Sequence, residues 1–270
     1  MAAARRAAHG EHGARGSADT RRRGPEPAAR GEKTLRRAVD FPKLLNVRDL
    51  GGCLTNDGAE TRWRSLLRAD DLAQLDAAGL QALADYGVRT ILDLRWPEEA
   101  ERHPSPVPGA LPRVRYKRIS LLNHTEDEWR LRSRDAAKEL WKCVVLEHVR
   151  HELRQVLSFI AAAPPEPLLF HCVAGKDRTG LVAALLLTLA DATPQDIARD
   201  YAESAENLRA GYLERYADTA PERILEALRC PEEGALNMLS FLERAGGVQA
   251  YLAHIGLTAE EIAHLRARLR

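Results

Sequence analysis

From Leu181 to Ala190 the chain is apolar at every position except Thr188, so a helix formed there has no polar face to offer water and must be buried all round. Just upstream, Pro167-Leu168-Leu169-Phe170 is a brief apolar run opening on a proline, the pattern of a short buried strand. Between them lies a largely polar, glycine-bearing segment, 171–180. Strand, loop and central helix in that order need a sheet for the helix to pack on, which makes the expected class α/β.

The flanking pattern agrees. Val88 to Leu94 reads as a second buried strand closed by Trp96-Pro97, and Val114 to Leu122 as a third. Asp71 with Gln74 is placed to cap a helix whose apolar face is Leu72, Leu75, Leu80 and Leu83. Gly87 is placed to end that helix and Gly79 to divide it. Thr125 with Glu128 forms a capping box ahead of a region continued at helical spacing by Leu140, Val144, Val149, Leu153, Val156 and Ile160. Thr193-Pro194 with Asp196, and Thr258 with Glu261, open two further helices. The expected fold is a central sheet flanked by helices, with a helical C-terminal extension and no internal repeat.

The loop reads His171-Cys172-Val173-Ala174-Gly175-Lys176-Asp177-Arg178-Thr179-Gly180. A cysteine six residues before an arginine means little in a chain with 34 arginines among 270 residues, so the residues between them carry the signal. Gly175 permits backbone angles other residues avoid. Successive N–H groups of a tight loop at a helix N-terminus form an anion-binding nest, backed by about half a positive charge. Arg178 can grip two phosphate oxygens with its planar fork, and Lys176 adds a second cation. In that field the thiolate of Cys172 is favoured, and a thiolate facing phosphorus forms a phosphocysteine with no metal and no cofactor. Asp177, the nearest carboxyl in sequence, is expected to protonate the leaving oxygen and then to activate water. Thr179 can hydrogen-bond the departing sulfur, while Val173, Ala174 and Gly180 complete the expected phosphate-binding loop.

HCVAGKDRTG matches the signature loop of cysteine-based phosphatases, and its GKDRTG ending resembles that of the bacterial atypical tyrosine phosphatases. Asn46-Val47-Arg48-Asp49-Leu50-Gly51-Gly52 is similar to that family's N-terminal motif, and Arg64-Ser65 to its following pair. Asp93-Leu94-Arg95, Asp200-Tyr201 and the stretch from Gly247 to Leu257 are similar to later family segments, so the resemblance spans roughly residues 41–270. It implies a cysteine-phosphatase-like sheet, Cys172 as nucleophile, Arg178 as phosphate clamp, Asp177 as the acid, and His171 as a residue that shapes the loop. It also implies phosphotyrosine as substrate, with phosphoserine, phosphothreonine or phosphoinositides accepted by some members. Lys176 suits a multiply charged lipid headgroup, yet Val173 stands where a lipid-preferring loop often carries a second lysine. A phosphotyrosine protein is therefore the first expected partner and a phosphoinositide the second. Arg48 and Asp49 are expected either at the pocket or bracing the turn at Gly51-Gly52.

Other chemistries fit parts of the pattern. A silent phosphate- or phosphopeptide-binding module needs only Arg178 and the nest, but Cys172, Asp177 and Thr179 are intact. A thiol transferase also uses a cysteine in an anion loop, without the GKDRTG continuation. Glu98, after Trp96-Pro97, and Asp135 are alternative acids. Glu147, His148, His151 and Glu152 match no zinc-binding spacing and read as helix surface. Residues 125–145 read as a structural helix or as a lid over the pocket.

Charge narrows the partners further. The chain has 40 Lys+Arg against 39 Asp+Glu, a net +1 that hides a division. Residues 1–38 hold ten cations and four carboxylates, and almost nothing apolar larger than alanine before Leu35. A disordered basic leader of net charge +6 is expected there, ahead of a catalytic domain, 39–270, of net charge −5. No nucleic-acid partner is expected of that acidic body. The longest apolar run is about half of the roughly 20 residues a membrane-spanning helix needs, and the leader's arginines have no apolar region behind them to make a signal peptide. Cys53, Cys143, Cys172 and Cys230 form no C-x-x-C pair, which suits a reducing compartment. The cytoplasm is the expected location, although secretion without a signal peptide leaves no mark in a sequence.

Overall fold

A computed structural model describes residues 37–121 and 146–270, all within one folded unit. In chain order it contains β1 (Arg48–Asp49), β2 (Leu66–Ala69), a 3-10 turn (Leu72–Gln74), α1 (Ala77–Tyr86), β3 (Thr90–Asp93), α2 (Pro97–Arg102), α3 (Val107–Ala110) and β4 (Arg115–Arg118). Beyond residue 146 follow α4 (Arg150–Ala161), β5 (Leu168–His171), α5 (Asp177–Leu189), α6 (Pro194–Arg215), α7 (Pro221–Leu228), α8 (Glu232–Arg244), α9 (Val248–His254) and α10 (Ala259–Leu269). The strands form one sheet in the order β1-β2-β5-β3-β4, antiparallel only between β1 and β2. The α/β sheet and the helical C-terminal extension are both present.

Side-chain alternation along the strands builds two cores. Leu66, Leu92, Leu168 and Phe170 face α5 together with Leu153 and Ile160 of α4, Leu252 of α9 and Leu265 of α10. Leu67, Ile91 and Leu169, one residue out of phase, face Leu83 of α1 with Phe41 and Leu72. Every residue from Leu181 to Leu187 is buried, as an all-apolar helix requires. Thr188 is accommodated because its hydroxyl donates to Ala184 O at 2.6 Å.

Central β5 places the signature loop. Ala69, His171 and Asp93 lie in register across β2, β5 and β3, so the chain leaves all three strands at one sheet edge. Asp70 and Asp71, Cys172, and Arg95 and Trp96 follow directly. The carboxyl ends of parallel strands are where α/β sheets gather their sites.

Three local expectations change. The helix after Asp71 divides at Leu75-Asp76 rather than at Gly79: Asp71 caps the 3-10 turn and Asp76 caps α1, accepting from Gly79 N at 2.9 Å. Gly79 is instead a close-packing residue, since a Cβ there would lie 2.7 Å from Pro42 O. Gly87 ends α1 in the left-handed conformation, as expected. At the N-terminus, Arg37 and Ala38 fall inside the folded unit, two residues before the expected boundary: Asp49 N donates to Arg37 O at 3.0 Å, and Ala38 bridges Arg48. Residues 1–36, the Thr125–Glu128 capping box, segment 125–145, Asp135 and Cys143 lie outside the described residues.

Candidate active site

The loop's carbonyls are held outward by four neighbours. Val173 O accepts from Asp71 N at 3.0 Å and Lys176 O from Gly180 N at 2.8 Å. Ala174 O accepts from Asn46 Nδ2 at 2.9 Å, and Gly175 O from both Asn46 Nδ2 at 3.1 Å and Arg68 Nη2 at 2.6 Å. None of the N–H groups from Val173 to Lys176 donates to a described residue. With the unsatisfied first-turn N–H groups of α5 they make an arrangement able to hold an anion. Gly175 is indispensable to this turn: its φ is +62°, and a Cβ would stand 2.4 Å from Ala69 O and 2.7 Å from Asp70 N.

Cys172 is buried, and Arg178 lies in the first turn of α5. Glu99 of α2 holds the Arg178 guanidinium end-on, Nη1 to Oε2 at 2.6 Å and Nη2 to Oε1 at 2.8 Å. The Trp96 ring lies 5.1 Å from the guanidinium carbon. Glu99 Oε2 also accepts from Trp96 N at 2.8 Å, which anchors it to the start of α2. Burial disfavours a charge on Arg178, but Cys172 and Glu99 more than offset this and raise its pKa above the usual value. Glu98, by contrast, is exposed. Glu99 is absent from the sequence-level candidates; its only local signal is its place three residues after Trp96 in a proline-opened helix.

Asp177 is the partly exposed carboxyl of the loop. Its Oδ1 accepts from Tyr201 OH at 2.9 Å, and its Oδ2 lies 3.4 Å from Lys176 Nζ. The Lys176 ammonium is engaged at the C-terminal end of α7, where it donates to Ala227 O at 2.7 Å. Thr179 Oγ1 is buried and has no hydrogen-bond partner among the described residues. Gly180 lies one turn into the helix, with Tyr201 only 3.0 Å from where its Cβ would be, so it serves helix packing. His171 is fully buried; its Nδ1 is 3.2 Å from Cys172 O and its Nε2 is 3.6 Å from Asp93. Burial lowers the His171 pKa despite Asp93.

Behind the loop lies a layer whose pairings the sequence did not announce. Asp200 of α6 is ion-paired with Arg37 and Arg48, each at 3.0 Å, and with Arg68. Glu203 joins at 3.1 Å from Arg37. Three guanidiniums against two carboxylates leave one surplus positive charge beside the anion nest. Burial alone pushes the Asp200 carboxyl up, but the arginines hold it far below the usual carboxylate range. Arg68 is the mechanical link, because its other arm holds Gly175 O. Arg48 and Asp49 therefore brace rather than line the pocket. Arg48 Nη1 donates to Asn46 Oδ1 at 2.6 Å, while Asp49 accepts from Gly51 N and Arg64 N, each at 2.7 Å. Asp70 completes the support by accepting from Asn46 N at 3.0 Å, and burial pushes its carboxyl up to about 6.

Among the described residues, no three His, Cys, Asp or Glu side chains converge as a metal site. No helix among them is long and apolar enough to cross a membrane. A family model for the tyrosine phosphatase family matches residues 39–270. A tyrosine-protein phosphatase of Nostoc commune is 32% identical over 224 residues, covering 76% of this chain and 74% of that protein. The triple specificity protein phosphatase PtpB of Mycobacterium tuberculosis is 25% identical over 276 aligned residues, covering 85% and 98%.

Proposed function

The chain belongs to the tyrosine phosphatase family and is a phosphatase acting on phosphotyrosine; from that premise we propose that hydrolysis proceeds through a phosphocysteine on Cys172. The observation that carries this reading is the outward turn of the loop carbonyls, which leaves a run of N–H groups between Cys172 and Arg178. In the first step the thiolate forms the S–P bond as the ester P–O bond breaks, and Asp177 gives its proton to the departing tyrosyl oxygen. In the second, water attacks phosphorus, Asp177 takes the water's proton, and the S–P bond breaks to return the thiolate and release inorganic phosphate.

The loop stabilises the charge spread over the transferring phosphoryl oxygens. Glu99 occupies one N–H on each Nη of Arg178, so the Nε–H and the remaining Nη2–H form a parallel pair for two phosphate oxygens. Thr179 supplies a hydroxyl to the sulfur as it departs. Lys176, engaged at Ala227 O and Asp177, is not free to meet a second headgroup phosphate, which favours phosphopeptides over phosphoinositides.

Hydrolysis of p-nitrophenyl phosphate in EDTA tests the assignment. Vanadate is expected to block it and Cys172→Ser to abolish it. Phosphate binding without hydrolysis by the unmodified chain, or full activity in Cys172→Ser, would sink the mechanism.

A further inference from the structure

A cavity of about 430 Å³ opens where the end of α6 turns into α7, walled by Tyr212, Tyr216, Thr219, Arg223, Ile224 and Ala227. None of these side chains has a part in the chemistry above. Two contacts tie this corner to the catalytic loop. Ala227 O accepts the Lys176 ammonium at 2.7 Å, and Ala174 packs on the same cluster of Leu208, Ile224 and Leu228 as Tyr212 does. The cavity is thus about one lysine side chain from the phosphate nest. An extended peptide advances at most about 3.3–3.6 Å per residue, so a side chain one to three positions from a bound phosphotyrosine spans that gap.

The walls have a definite chemistry. Tyr212 and Tyr216 present a tilted ring pair with centroids 5.4 Å apart. Arg223 is the one charged residue in the lining, is exposed, and has no carboxylate partner among the described residues. Arg215 stacks over the Tyr212 ring at 5.6 Å and adds a second cation close by. The neighbouring acids Glu214, Asp218 and Glu222 are not part of the wall.

Resting on the phosphotyrosine reading, we propose that this cavity is a second substrate subsite that takes a carboxylate side chain flanking the phosphotyrosine. Arg223 pairs with the carboxylate, and the tyrosine rings pack on its methylene stem and the adjoining backbone. The enzyme then favours acidic phosphopeptides through a group that never touches phosphorus.

The test compares kcat/KM of the full chain and of Arg223→Glu on three substrates: p-nitrophenyl phosphate, a phosphotyrosine peptide flanked by glutamates, and the same peptide flanked by lysines. Arg223 is exposed, and circular dichroism and thermal unfolding accompany the kinetics to show that Arg223→Glu keeps the fold. The unmodified chain is expected to favour the glutamate peptide by about 10-fold, the worth of one charge-assisted hydrogen bond. Arg223→Glu is expected to abolish or invert that preference while p-nitrophenyl phosphate turnover stays within about 2-fold, since surface changes rarely disturb a fold. An equal preference in both proteins, or none in the unmodified chain, overturns the subsite. A fourth arm assays both proteins on phosphatidylinositol phosphate vesicles, and a loss in Arg223→Glu confined to that arm also overturns the subsite and reassigns the cavity to a lipid headgroup. Failure of the unmodified chain to hydrolyse p-nitrophenyl phosphate strikes the phosphatase mechanism itself, so the two failures are distinguishable.

Discussion

In the proposed mechanism Arg178 is oriented before substrate arrives, because Glu99 takes the end of its fork and leaves the side for phosphate. That division makes Glu99 a positioning residue rather than a competitor. Glu99→Gln forfeits one charge-assisted bond, worth about 1.5–3 kcal/mol, so kcat/KM for p-nitrophenyl phosphate is expected to fall about 10–100-fold. Steady-state kinetics check this, and a rise in kcat/KM would show that Glu99 instead competes with phosphate. The difference in legibility between Arg178 and Glu99 has a physical basis. Arg178, Cys172 and Asp177 sit in one decapeptide whose residue types serve a single ligand. Glu99 reaches Arg178 across 79 positions of sequence, and only the parallel pairing of β3 with β5 brings them together.

At the scale of elements, the central helix and its strand were readable because burial on all sides leaves no other outcome for Leu181 to Ala190. The frame behind the loop was not readable. Arg68 lies in a short strand and looks like a solvent cation until Asp200, 132 residues later, is folded against it. Lys176 reads as a phosphate ligand until the end of α7 claims its ammonium. Gly175 shows what the frame requires, since its turn presses against the backbone of Ala69 and Asp70. Gly175→Ala is expected to lower kcat/KM by about two orders of magnitude, the cost of displacing reacting groups by about 1 Å. Retained binding of vanadate at unchanged affinity in a folded Gly175→Ala protein would contradict this.

For the whole molecule, the division between basic leader and acidic body needs one amendment: Arg37 belongs to the body. A chain beginning at Val39 loses the Arg37 bonds to Asp200 and Glu203. It is expected to be about 1–3 kcal/mol less stable than one beginning at Leu35, by urea unfolding. Equal stability would make Arg37 dispensable. Asp70 gives the fold a pH signature. Its carboxyl is raised from 3.8 to about 6, so between those values the folded chain holds a proton that the unfolded chain has released. Its contribution is full below about pH 4 and disappears as pH rises through about 6, a difference on the order of 3 kcal/mol. Measured against Asp70→Asn, the stability of the unmodified chain should therefore decline from pH 4 to pH 7; parallel curves would contradict the burial account. The most direct measurement is acid quenching of the full chain during turnover of a phosphotyrosine peptide, followed by mass spectrometry of the fragment that carries Cys172. A phosphoryl group on the Cys172 sulfur, absent from Cys172→Ser, is the predicted result, and turnover with phosphate on another residue, or with none trapped and Cys172→Ser still active, would contradict it.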